Sequence, residues 1–351
     1  MNASGRRLGA VAGMTAALAV TASQGASQVI AGPDGPVEFI GLQDWDAQEL
    51  FDAIRELNPD RPFSACAADM RFELGFAQAG AFGFSVEGSD DRHTVVVGVE
   101  DSARVRYRPT GSETIALREP WENLRAVADE DIDLLAMAAR ALHWHDVTVD
   151  GVPMSRRELG ELMGAEPGTL DEVWALLDRA DGEVDRRLAH EVLASDSSWL
   201  ARSVATLVVG NFIDDDTSWH AMVESLIDPD ARVGSVAIAM VDGLGLGKKA
   251  PVDWSGARVS LSAIFGGSNP FAFRGVLNVL IKTDVNPEFA RDLVRENPDL
   301  LLAHVGAQHE MTREPAVDFL RAISGEDFGT DVEAWTAWVS GQPGGGKANR
   351  Q

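Results

Sequence analysis

Near the middle of the chain, His143-Trp144-His145-Asp146 offers the residue types that metal chemistry needs. On a β-strand His143 and His145 would project to one side, and with Asp146 they would give zinc two imidazoles and a carboxylate. The segment follows a long helical pattern, where positions two apart diverge. A histidine at a helix C-terminus is also favoured by the helix dipole alone. Asp242-Gly243-Leu244-Gly245-Leu246-Gly247-Lys248-Lys249 has the glycines and lysine of a phosphate-cradling loop but not the G-x-x-x-x-G-K-[ST] spacing. Ala250 stands where a hydroxyl is needed, and an apolar helix precedes the segment, so it reads as a helix C-cap and turn.

Asp214-Asp215-Asp216 and Asp129-Glu130-Asp131 lack the glycine and terminal glutamate of a calcium loop. The first is expected to cap a helix. Cys66 sits among small residues without a basic neighbour, as a buried free thiol does. No G-x-S-x-G, S-x-x-K or H-E-x-x-H pattern occurs, and His309-Glu310-Met311-Thr312-Arg313 lacks the second histidine. No cofactor is therefore called for. Nine tryptophans accompany a single tyrosine, Tyr107. Most should be core wedges, but Trp219, Trp254, Trp335 and Trp338 are spaced by whole helices. They could instead line one concave binding surface.

These residues must be held by a chain of 351 residues, enough for about two domains and a sizeable core. It is 45% hydrophobic and 24% charged, which suits a folded protein. With 30 basic and 55 acidic residues the formal net charge is −25, which repels nucleic acid and anionic lipid. Lysine occurs only at Lys248, Lys249, Lys282 and Lys347. An acidic, lysine-poor surface suits high salt, though a coding bias toward Arg, Ala and Asp would look the same. One cysteine excludes an internal disulfide and a cysteine zinc cage.

Residues 1–28 read as a secretory signal. Arg6 and Arg7 precede an uncharged run from Leu8 to Val20, followed by small residues around Ala22 and Ala26. The run is too short to span a bilayer, and no later stretch does so, so an exported chain without a membrane span is expected, periplasmic or extracellular. Gly341 onward is glycine-rich and expected to be a flexible tail over 341–351.

Residues 37–110 are expected to form a small α+β domain. Asp46 and Glu49 make a capping-box pattern before Leu50, Phe51, Ile54 and Leu57. Strands are expected over 81–86, 94–99 and 104–107, the first two joined by Gly88-Ser89-Asp90-Asp91. A helical connector follows over 120–181, with a small hairpin turning at Asp150-Gly151. From 182 to 340 the chain is helical. Asp228-Pro229, Asn269-Pro270, Asn286-Pro287 and Asn297-Pro298 each suggest a cap followed by proline at the first helical position. Val233, Ala237, Met240, Val241 and Leu244 form one buried stripe, and Phe273, Val276, Leu277, Leu280 and Ile281 another.

Ser225-Leu226-Ile227-Asp228-Pro229-Asp230-Ala231-Arg232-Val233 resembles the turn between the two helices of a HEAT repeat. There Asp228 would cap, Pro229 would turn the chain, and the arginine would pair with an acid of the neighbouring repeat. The segment from Gly325 to Trp338 is similar to a closing motif of bacterial HEAT-like proteins, in which Asp331 caps the last helix and Trp335 and Trp338 dock it. The resemblance covers 182–340. Behind the α+β N-terminal domain read from residues 37–110, it implies a mainly α, HEAT-like domain, an irregular α-solenoid because Gly243–Pro251 and Gly266-Gly267 break the rhythm. A solenoid implies a protein or peptide partner rather than catalysis. His143-Trp144-His145 also resembles the start of the H-x-H-x-D-H signature of metallo-β-lactamase-like hydrolases, with Thr148 where its last histidine would stand. Two functions follow as expectations: an exported, non-enzymatic scaffold that binds a protein, or a metal-dependent hydrolase using His143, His145 and Asp146. A purely structural role in the cell envelope is a third.

Overall fold

Pro33-Asp34-Gly35 folds the chain back within the first ten described residues, because Gly35 takes a φ of +122° that side chains avoid. A computed structural model describes residues 27–85, 92–144, 147–149, 152–166, 168–246 and 249–341. The signal-like segment up to residue 26, the expected turn at 88–91, His145, Asp146, the Asp150-Gly151 turn, Gly247, Lys248 and the tail from 342 lie outside the described residues.

The turn at Gly35 joins β1 (Gln28–Gly32) to β2 (Gly35–Ile40). Helices α1 (Ala47–Leu57) and α2 (Ala67–Phe72) follow, then β3 (Gln78–Ser85) and β4 (Arg92–Val99). The sheet order is β1-β2-β4-β3, with β2 parallel to β4 and the other pairs antiparallel. Asp46 caps α1 as its spacing requires, accepting from the Gln48 and Glu49 amides. The strand period of two splits the sheet. Val37, Phe39, Ala79, Ala81 and Val96 pack with Leu50, Ile54 and Met70 of α1 and α2. Ile40, Val95 and Val97 face the other way, into the core of the helices that follow.

No strand forms at 104–107. The Arg106 amide donates to Ser268 Oγ at 2.8 Å and the Arg108 amide to the Ile227 carbonyl at 2.9 Å. The segment runs as a strap over helix ends because its backbone donors find partners there instead of beside a strand. Gly111 permits this course: a Cβ on it would stand 1.8 Å from the Ser195 carbonyl oxygen.

The helical part comprises α3 (Trp121–Glu130), α4 (Ile132–Ala141), the small hairpin β5 (Val147–Val149) and β6 (Val152–Met154), α5 (Arg156–Leu162) and α6 (Thr169–Leu177). Then come α7 (Glu183–Ser195), α8 (Trp199–Val209), α9 (Asp216–Ser225), α10 (Ala231–Leu244) and α11 (Arg258–Gly266). The chain closes with α12 (Pro270–Lys282), α13 (Pro287–Glu296), α14 (Asp299–Val305), α15 (Glu310–Ser324) and α16 (Val332–Val339). Asn269 and Asn286 cap α12 and α13 with proline behind them, as expected. Asp215 caps α9, and Asp331 caps α16.

Two of the expected starts are displaced. Asn297 closes α13, and α14 begins at Asp299. Asp230, not Asp228, caps α10. Asp228 is buried and gripped by two guanidiniums instead: Arg108 from the strap (2.6 and 2.9 Å) and Arg202 of α8 (2.9 and 3.0 Å). One carboxylate between two buried cations is a strong constraint, since breaking such a group costs about 3–5 kcal/mol. Arg232 turns back to Asp230 at 2.7 Å and lies 3.5 Å over the Trp199 ring, so it does not reach an acid of a neighbouring repeat.

The architecture is thus a small mixed sheet with two helices, followed by a mainly helical part. Within the latter, α7, α9, α11 and α13 touch in succession, and α8, α10, α12 and α15 form a second succession packed against the first. The N-terminal half lies on this second row, with α3 on α8, α4 on α10 and β3 on α12. Gly243 lets α4 and α10 meet closely, since a Cβ there would stand 2.0 Å from the Arg140 carbonyl oxygen. Among the described residues no helix is long and apolar enough to cross a membrane.

Candidate functional site

Between α4, α10, α12 and α15 the second row stays uncovered, and the gap is a cleft of about 500 Å³. That volume is within the range of small-ligand sites, roughly 300–1,000 Å³. Its walls follow from helix periodicity. On α15, Glu310, Glu314 and Asp318 recur every four residues and therefore share one face, with Met311 and Pro315 beside them. Arg140 and Trp144 come from the end of α4 and just beyond, Arg274, Gly275 and Asn278 from α12, and Asp242 with Gly245 and Leu246 from the end of α10.

Asp242 is the most constrained of these groups. Its carboxylate takes a 3.1 Å hydrogen bond from Arg140, yet burial raises its pKa above the usual carboxylate range against the pull of Arg140 and Arg274. Gly275 makes room for it: a Cβ there would lie 2.7 Å from the Asp242 oxygen. Pro315 has no N–H, so it cannot give the Met311 carbonyl its usual helical hydrogen bond. Trp144 is 8% exposed, and its buried indole N–H has no acceptor among the described residues.

Beside the mouth, where α15 starts, a second charged group ties the sheet to the helices. Glu38 is fully buried on β2 and points from the sheet toward α15. It accepts from the Gln308 and His309 amides at 2.5 and 3.0 Å and from His93 Nε2 at 3.2 Å. The His309 ring stacks on Phe84 at 4.0 Å and meets His93 edge-on at 4.7 Å. Burial, then the charge of His93, holds His309 below the ordinary imidazole range, with Glu38 opposing. With its oxygens taken up by two amides and an imidazole, Glu38 acts as a tie at a helix N-terminus, where a carboxylate is favoured.

The residues singled out from sequence fall elsewhere or outside. Trp219, Trp254 and Trp335 are at most 2% exposed, and each indole N–H is bonded internally, to Ile213, Thr283 and Gly329. Trp219 and Trp254 meet at 5.9 Å, and Trp335 meets the half-buried Trp338 at 6.0 Å, with Arg291 over the latter ring. These are two packing pairs in or against the core, not an aromatic groove, because the apolar helix faces that carry them are the faces that close on one another.

His143 Nε2 donates to the Gly210 carbonyl at 2.7 Å, a structural bond between the end of α4 and the end of α8. His145 and Asp146 lie outside the described residues. Among the described residues no three His, Cys, Asp or Glu side chains are arranged to hold a metal ion. Cys66 is a buried free thiol, and burial pushes its pKa up to about 12, so it carries no thiolate at neutral pH.

The chain matches no family model, no curated protein and no solved structure.

Sequence reasoning passed over Glu38, Arg140, Arg274 and the acidic face of α15. Each left a signal. Glu38 is a charge inside the apolar run Val37–Ile40, Asp242 interrupts the apolar stripe of α10, and Pro315 stands inside an otherwise regular helix. What was missing was their common address.

Proposed function

We propose that this chain is an exported, non-enzymatic binding protein of HEAT-like build that holds a segment of a protein or peptide partner in the cleft between α4 and α15. The paired rows, α7-α9-α11-α13 and α8-α10-α12-α15, support the HEAT-like reading, since successive helix pairs of a solenoid stack in this way. The signal-like residues 1–28 support export. One observation carries the choice of site. The chain's own α3, α4 and β3 lie on the second row and cover much of the long face expected of a solenoid, while the cleft of about 500 Å³ between α4 and α15 stays open. A partner would therefore enter with a short segment and not lie along the array.

The test is site-specific cross-linking in intact cells. A photo-reactive residue is placed at Met311, 57% exposed on the cleft wall, and separately at Val259, 75% exposed on α11 of the other row. A discrete adduct from position 311 and none from 259 is expected. An adduct from 259 alone, or from neither, overturns the reading.

A further inference from the structure

The cleft separates unlike charges. Its α15 wall is acidic, whereas the opposite walls carry Arg140 and Arg274. Several of these charges are already matched. Asp318 pairs with Arg321 at 3.1 Å, Glu314 with Arg313 at 3.4 Å, and Arg140 with Asp242 at 3.1 Å. Two are not. Neither Glu310 nor Arg274 has an ion-pair partner within 4 Å among the described residues, although Arg274 acts on the Asp242 carboxylate from farther away, and they stand on different walls. One neutral feature adds polarity beside the cleft: the Trp144 indole, whose buried N–H finds no acceptor among the described residues. Leu246 and Met311, 44% and 57% exposed, give the lips an apolar surface.

On the reading that the cleft is the binding site, we infer that its occupant is a short peptide segment bearing both charges, a lysine or arginine toward Glu310 and a carboxylate toward Arg274. An apolar occupant would desolvate both charges without compensation, which is costly. A singly charged one would strand the other. A folded domain does not fit about 500 Å³, whereas a few residues do.

The experiment is calorimetric titration of the full chain with four pools of blocked pentapeptides: one lysine and one aspartate in every order and spacing, lysine only, aspartate only, and neither. The doubly charged pool is expected to bind at least tenfold more tightly than the others. Arg274→Ala should abolish the preference for aspartate alone, and Glu310→Gln the preference for lysine alone, with unchanged melting temperatures. Equal binding of all pools, or a charge preference that survives both substitutions, overturns the inference. If a Gly245→Trp block still abolishes that binding, the cleft remains the site. No binding of any pool at millimolar concentration overturns both the inference and the cleft reading.

Discussion

His304 lies in α14 with its Nδ1 bonded to the Leu300 carbonyl at 2.8 Å and its ring 4.7 Å from Phe273. Burial pushes its pKa down from 6.5 to about 4, aided by Arg274 and opposed by the bond to Leu300 and by Glu38. Because the folded pKa is depressed, the unfolded chain binds more protons between these values. Stability is therefore complete above pH 6.5 and falls as the pH drops toward 4. At 1.36 kcal/mol per pKa unit the loss is roughly 3 kcal/mol. Urea unfolding midpoints measured across this interval should decline in the native chain and decline much less in His304→Leu. Equal slopes would show that the ring is not buried neutral. His309 contributes in the same direction, facing His93, Glu38, Glu310 and Arg313.

Elements are joined by a few such residues at their ends. The last helix is the clearest case. Asp331 caps α16, Trp335 is fully buried with its N–H on the Gly329 carbonyl at 3.0 Å, and Phe328 meets the indole edge-on at 4.7 Å. The helix that carries it, α16, packs against α13 and α14. Trp335→Ala should destabilise the protein by about 3–5 kcal/mol, the range for emptying a large aromatic site in a core. Calorimetric unfolding decides it, and a loss under about 1 kcal/mol would mean that α16 does not close the core. At the same scale lies the limit of sequence reading. Caps and apolar stripes depend on neighbours in the chain, so α1, α10, α12 and α16 were legible. The strap at 104–108 was not, since its alternation resembles a strand and only the helix ends beneath it draw its amides away. The D-P-D turn misled for a related reason: Asp230 is just as good a cap as Asp228, and two distant arginines decide between them.

The whole molecule carries a formal charge of −25, and its cations are almost all arginine. Many arginines sit in ion pairs, such as those of Arg118 with Asp185 and Arg104 with Asp299, but the acidic excess has no internal partner. Self-repulsion at long range should then outweigh the exposed pairs, each worth about 1 kcal/mol or less. The melting temperature should rise as sodium chloride increases from about 0.01 to about 1 M, as the screening length shrinks from ~30 to ~3 Å. A falling melting temperature would place the weight on the ion pairs. Glu38 belongs to this scale too, because it ties the first sheet to a helix 270 residues later.

Local pattern alone determined the class of this protein: a signal-like start, an acidic chain, a small α+β region and then helices. Helix and strand periodicities, capping and charge balance are properties of short stretches or of composition, which a sequence displays directly. Tertiary structure decided what faces what. It put three of the four chosen tryptophans in the core, laid the chain's own N-terminal half on the row α8-α10-α12-α15, and drew Arg140, Asp242, Arg274 and Glu310 together from four helices. Burial and the meeting of distant side chains are set by how whole elements close on one another, and no local stretch carries that information.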